Sequence, residues 1–92
     1  TDKQEKEAED KLFKAIKTLQ SFEEYRSFFK DILTPSEFQA IKDRWAVAAL
    51  LNEGYTYREI NAITGVSITT VTRVARFLSD GSGGYQIALE RL

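Results

Sequence analysis

The feature that most constrains this chain is the stretch "TYREINAITGVSITTVTRVARFL", residues 56–78, in which a single glycine, Gly65, separates two runs of helical periodicity. Thr56 can cap the first run, Glu59 follows it by three residues, and Ile60 and Ile63 supply an inward face. Beyond Gly65, Ser67 can cap a second helix whose inner side carries Val66, Val71, Val74, Ala75 and Leu78. A tight helix-helix turn calls for a residue at ease with positive φ, and glycine has that freedom. The pattern therefore predicts a helix-turn-helix over 56–78, its inner apolar residues fixing the crossing of the two helices.

The flanking sequence also has helical spacing. Ala8, Leu12, Ala15, Ile16 and Leu19 recur at three- and four-residue steps, which predicts an amphipathic helix over about 5–20. Ser21 can cap the next helix, with Glu23 and Glu24 in its first turn and an aromatic face of Phe22, Tyr25, Phe28, Phe29 and Ile32, read as core or dimer packing. In "LTPSEFQAIKDRWAVAALLNEG", Thr34 can cap, Pro35 suits the first helical position, Glu37 closes a capping box and Gly54 suits the stop. Phe38, Ile41, Trp45, Ala48, Ala49 and Leu51 are expected to line the buried side of this central helix, with Trp45 in the core. "SDGSGG" reads as a turn and "YQIALERL" as a last short helix. The expected architecture is all-α, one domain over 1–92: N-terminal helices at 5–33, a central helix at 34–54, the helix-turn-helix at 56–78 and a C-terminal turn and short helix at 79–92.

Composition narrows the function classes. The 92 residues contain no cysteine and no histidine, which removes disulfides, thiolate metal sites and imidazole chemistry. The carboxylates of Glu37, Asp43, Glu53 and Glu59 each have a ready role as a cap or surface group, so neither catalysis, a cofactor nor a metal is expected. "TDKQEKEAEDK" has no apolar core and no long apolar run follows, so neither signal peptide nor membrane span is expected, and a cytoplasmic location is the default reading. A chain this short is at the small end of what buries a sufficient core alone, which keeps oligomerisation open.

The outer face of the second helix in the opening stretch is informative. Thr69, Thr72, Arg73 and Arg76 fall at helical spacing on one side, Ile68 and Thr69 stand at its N-terminal end, and residues 65–78 contain two bases and no acid. Small hydroxyls and one apolar tip can approach base edges and a thymine methyl in the major groove, while arginine can bridge to phosphate or guanine. Arg58, in the preceding helix, is placed to touch the nucleic-acid backbone. The net charge of −1 and pI of 5.4 pull the other way, since an autonomous DNA-binding domain is usually more basic. A dimer would double the small basic patch.

The run L-T-P-x-E from Leu33 to Glu37, R-E-I from Arg58 to Ile60 ahead of Gly65, and I-x-T-x-T-R from Ile68 to Arg73 together resemble the tryptophan repressor family over about residues 33–78. The aromatic-rich version here is most similar to the Trp-repressor-related YerC/YecD family of bacterial proteins. The resemblance implies an intertwined all-α homodimer whose N-terminal helices form a shared core and whose two helix-turn-helix units reach successive major grooves of double-stranded DNA. It maps DNA contacts onto Ile68, Thr69, Thr70 and Thr72, and onto Arg58 and Asn61, the last replacing a basic residue of the family. It places an effector between the central and recognition helices, with Arg44 and Arg73 as the clamping arginines and Thr70 as the threonine of the pocket. Two positions depart: the family's glycine after the second arginine is Val74, and its serine four residues after that arginine is Phe77. The space for an indole is therefore expected to be filled, and tryptophan is expected not to bind.

The resulting expectation is a dimeric, sequence-specific DNA-binding transcriptional regulator with its recognition helix at 67–78, in which Arg58, Arg73 and Arg76 hold phosphates. The alternative is a helical protein-interaction module that retains the fold without binding DNA, favoured by the acidic pI and by Asn61. A regulator answering to some effector other than tryptophan would use Arg44 and Arg73, which otherwise read as surface ion-pair residues beside Asp43 or Glu59.

Overall fold

Side-chain caps set five of the six helix starts. The structure, a computed structural model, describes residues 1–92. It contains six helices and no strand: α1 (Asp2–Lys17), α2 (Phe22–Ile32), α3 (Pro35–Asn52), α4 (Tyr57–Thr64), α5 (Ile68–Asp80) and α6 (Gly84–Arg91). The all-α expectation holds. No helix is long and apolar enough to cross a membrane. The chain forms two compact units, Thr1–Phe38 and Gln39–Leu92, with the boundary inside α3.

In the first unit, α1 starts and stops about three residues earlier than its apolar spacing suggests. The Thr18 hydroxyl and backbone N–H both donate to the Ala15 carbonyl, at 2.6 and 3.1 Å, and the Leu19 N–H donates to Ile16 at 3.1 Å. These i→i−3 bonds tighten and end the last turn. The Gln20 N–H is then taken by the Glu24 carboxylate at 2.9 Å, and the Ser21 hydroxyl accepts the Glu24 N–H at 3.1 Å, so α2 begins where its cap predicts. It ends at Leu33, which is extended (φ −108°, ψ 148°) ahead of the Thr34–Pro35 start of the next helix. Neither α1 nor α2 has a buried residue. Phe28 and Phe29 meet edge to face at 5.5 Å, while Phe13 and Phe22 are exposed.

The α3 start is the expected capping box. The Thr34 N–H donates to Glu37 at 2.8 Å, and the Glu37 N–H donates to the Thr34 hydroxyl at 3.2 Å. In the second unit, Val47, Ala48, Ile60, Val66, Val71 and Val74 form the core, with Leu50, Leu51 and Tyr85 packed around it. This corrects the expected buried face of α3, which is centred on Val47 and Ala48. Ile41 is exposed, whereas Phe38, Trp45, Ala49 and Leu51 are half-buried. Apolar residues lie nearly all round α3, so their spacing does not single out one face, and the shared core with α4 and α5 selects it. Ile63 also departs from its expected inward position: it is 59% exposed, because the chain turns at Gly65 directly after α4 and Ile60 is the one residue of α4 that enters the core.

Candidate nucleic-acid interface

The turn between α4 and α5 is held from both sides. A capping box opens α4: the Thr56 N–H donates to Glu59 at 2.9 Å, and the Glu59 N–H donates to the Thr56 hydroxyl at 3.1 Å. The bond from the Thr56 backbone, reinforced by its hydroxyl, keeps the Glu59 carboxyl below the usual glutamate range. At the other end Gly65 adopts φ +75°, a left-handed conformation, and its N–H donates to the Asn61 carbonyl at 2.8 Å. The Asn61 Nδ2 donates to the Val66 carbonyl at 2.8 Å, the Thr64 hydroxyl donates to Ile60 at 2.7 Å, and the Val66 N–H donates to the Thr64 hydroxyl at 3.0 Å. Sequence reasoning missed these turn roles of Asn61 and Thr64. Asparagine and threonine beside a turn glycine, where such side chains bond backbone groups, were the available signal.

Ser67 caps α5 by accepting the Thr70 N–H at 3.2 Å, and its hydroxyl also donates to the Thr70 hydroxyl at 3.1 Å. Thr70 is half-buried in that contact. Ile68, Thr69, Thr72, Arg73 and Arg76 are exposed along α5, and Arg58 is exposed on α4. The Thr72 hydroxyl donates to the Ile68 carbonyl at 2.9 Å. Its proton is thus occupied, and its oxygen lone pairs remain as acceptors.

Charge is distributed unevenly between the units. Residues 39–92 carry six bases against five acids, and five of those bases are arginine; residues 1–38 carry seven against nine, with lysine supplying six of the bases. The arginine-rich unit holds the acid-free face of α5, where a planar guanidinium can take phosphate or guanine in two parallel hydrogen bonds.

A cleft of about 700 Å³ lies beside α5, lined by Arg44 and Trp45 of α3, Arg73 and Phe77 of α5, Gly81 and Ser82 of the following linker, and Gly84, Tyr85 and Ala88 of α6. Of the residues assigned to an effector pocket, Arg44, Arg73 and Phe77 meet here. Thr70 and Val74 are not in its lining: Thr70 is bonded to the Ser67 cap, and Val74 is buried in the core. Phe77 forms one wall and is 55% exposed, so its bulk does not fill the space. The aromatic contribution of α6 was not foreseen, because a short helix after a glycine-rich turn gives no indication of where it docks. Trp45 is half-buried and stacks on Tyr85, with ring centroids 6.3 Å apart and planes inclined by 26°. Neither Arg44 nor Arg73 pairs with Asp43 or Glu59, which accept from Gln39 at 2.8 Å and Thr56 at 2.9 Å.

Sequence and structure comparisons bear on what this arrangement serves. The sequence profile of the Trp repressor protein family matches residues 7–92. The uncharacterised Bacillus subtilis protein YerC is 42% identical over 83 residues, covering 90% of this chain and 80% of the relative. The crystal structure of a TrpR-like protein from Eubacterium eligens superposes with a TM-score of 0.91 at 37% identity, covering 99% of this chain and 94% of the other. A Staphylococcus aureus crystal structure gives 0.87 at 42% identity, with 91% and 84% covered.

Proposed function

The chain belongs to the Trp repressor family, and from that premise we propose that it is a homodimeric transcriptional regulator that binds double-stranded DNA sequence-specifically through α5. The observation that carries the reading is the outer face of α5, where Ile68, Thr69, Thr72, Arg73 and Arg76 are exposed and no acid intervenes between Gly65 and Asp80. Ile68, Thr69 and Thr72 face the bases, with Thr70 near the groove at the helix start, while Arg58, Arg73 and Arg76 hold phosphates. Asn61 contributes by fixing the turn, since its Nδ2 is committed to the Val66 carbonyl.

Dimerisation is supported by the first unit. Leu12, Phe13, Phe22, Tyr25 and Ile32 are all exposed there, and its helices bury nothing on their own. A second copy of the same segment is the cover that a symmetric assembly supplies. L-Tryptophan is not the effector. Where the family has a serine, Phe77 stands in the cleft wall, so a hydroxyl partner for the ligand's amino group is missing at that position. No enzymatic step is assigned.

The test is selection of genomic DNA fragments on the purified protein, sequenced after washes at about physiological salt, where counterion release has weakened non-specific contacts. A recurring palindrome with half-sites about one helical turn apart is the expected result. If folded protein enriches nothing, the regulator reading fails. The exposed aromatic surface of α1 and α2 would then favour the protein-interaction module.

A further inference from the structure

The last helix is tied to the two helices that would orient a DNA reader. The linker after α5 runs close to it: the Gly81 N–H donates to the Phe77 carbonyl at 2.9 Å, and a Cβ at Gly81 would collide with that same carbonyl oxygen. Gly83, at φ +85°, then turns the chain into α6, and the Gln86 side chain reaches back to the Leu78 carbonyl at 3.4 Å. One residue into the helix, Tyr85 stacks on Trp45 of α3 and packs against the valine core. The segment 81–86 thus joins the C-terminal end of α5 to the middle of α3 across a cleft that carries Arg73 and Phe77 on one wall and Arg44 on another.

We propose that α6 is a brace for the recognition helix and that Tyr85 is its positioning residue, holding α5 at its angle to α3 so that operator recognition needs no bound small molecule. The inference rests on the DNA-binding reading above and adds what keeps the reader in shape. From inside, α5 is located over its first half, by Val71 and Val74 in one core with Val47 and Ala48 of α3, Ile60 of α4 and Val66, and by the hydrogen-bonded turn before it. Beyond Val74 no residue of α5 is buried, and a tie at that far end restrains the half of the helix that the core does not hold. Phosphate contacts from long arginines tolerate a small rotation of α5, but short threonine side chains at base edges do not. The brace therefore acts on specificity more than on total affinity, as expected of a group that pre-organises a site without touching its ligand.

The experiment compares the full chain with Tyr85→Phe, which keeps the ring, and with Tyr85→Leu and Trp45→Leu, which keep apolar bulk but remove the stack from either side. Each variant is first shown to be folded by its circular-dichroism melt. Tyr85→Phe should hold operator affinity within about twofold. The leucine variants should lose about tenfold or more on the selected operator while staying within about twofold on sheared non-specific DNA, and α5 amides should exchange hydrogen faster. A folded leucine variant that binds operator as wild type does, or that loses both kinds of DNA equally, overturns the brace. If wild type binds no DNA, the regulator reading falls and the brace is judged by exchange alone. Faster α5 exchange in the leucine variants than in Tyr85→Phe sustains it, and equal exchange overturns it.

Discussion

Gly65 and Gly81 are both required, for different physical reasons, and substitutions separate them. Gly65 sits at φ +75° with open space around the position of a Cβ, whereas Gly81 has an ordinary φ but no room beside the Phe77 carbonyl. Asparagine visits the left-handed region more readily than other side chains, and its bulk is no help against a steric clash. Gly65→Ala should cost about 1–2 kcal/mol, with Gly65→Asn recovering a good part of it. Gly81→Ala and Gly81→Asn should both destabilise, by about 1–3 kcal/mol, because each adds an atom to a filled space. Urea unfolding of the four variants checks this, and recovery by asparagine at Gly81 would show the clash to be avoidable. The face of α5 offers a second contrast. Thr72→Ala removes a groove-facing acceptor and should flatten the preference for operator over scrambled sequence, whereas Arg58→Ala should weaken binding to all sequences and reduce the log–log salt slope by about one. Binding isotherms at several salt concentrations distinguish them. An unchanged non-specific affinity in Arg58→Ala would remove that residue from the interface.

Helix by helix, capping chemistry transfers from sequence to structure better than burial does. Thr34 with Glu37 and Thr56 with Glu59 form the boxes their spacing implies, since both partners lie within one turn and no distant segment is needed. Both glutamates are held below the ordinary range by their threonine backbone and hydroxyl bonds. The unfolded chain therefore takes up these protons first as pH falls. The stabilisation is complete above the unfolded glutamate value, near 4.5, and is lost as pH drops through the lower folded value. Glu59→Gln keeps the geometry of the box without the charge, so it should lower the melting temperature modestly near neutral pH and shallow the acid-side loss of stability, wild type and variant converging at low pH. A wild-type slope in that variant would mean that other groups set the acid limb. The burial of Trp45, Ile41 and Ile63 was less legible, because exposure depends on which neighbour arrives. Trp45 rests beside a ring forty residues later in the chain, and Ile63 lies just where the turn carries the backbone away. The cleft was half legible for the same reason: its arginines follow from the motif, but its α6 wall depends on a docking that no local pattern encodes.

At the scale of the whole molecule the distribution of apolar surface is the strongest argument for a second copy. The core of residues 39–92 is six small-to-medium side chains, all alanine, valine or isoleucine, while no side chain of residues 1–38 is buried and two of its phenylalanines stay in solvent, Phe22 at 86% exposure and Phe13 at 56%. Apolar area contributes roughly 25 cal/mol per Å² when removed from water, and a cluster of aromatic side chains left outside is a surface on which association gains what folding alone has not. Stability should therefore depend on concentration, the folded dimer being favoured by mass action. Raising the protein concentration a hundredfold should lift the melting temperature of wild type measurably. The double substitution Phe13→Ser and Phe22→Ser should weaken the dimer by at least about tenfold in sedimentation equilibrium and shrink that dependence. The same variant bears on DNA binding, because two recognition helices linked in one dimer engage a palindrome far more tightly than two separate ones. Its operator affinity should fall in step with its dimer fraction, while its binding to a single half-site should match wild type. A wild-type chain that sediments as a monomer at micromolar concentration, with a melting temperature independent of concentration, would defeat the dimer.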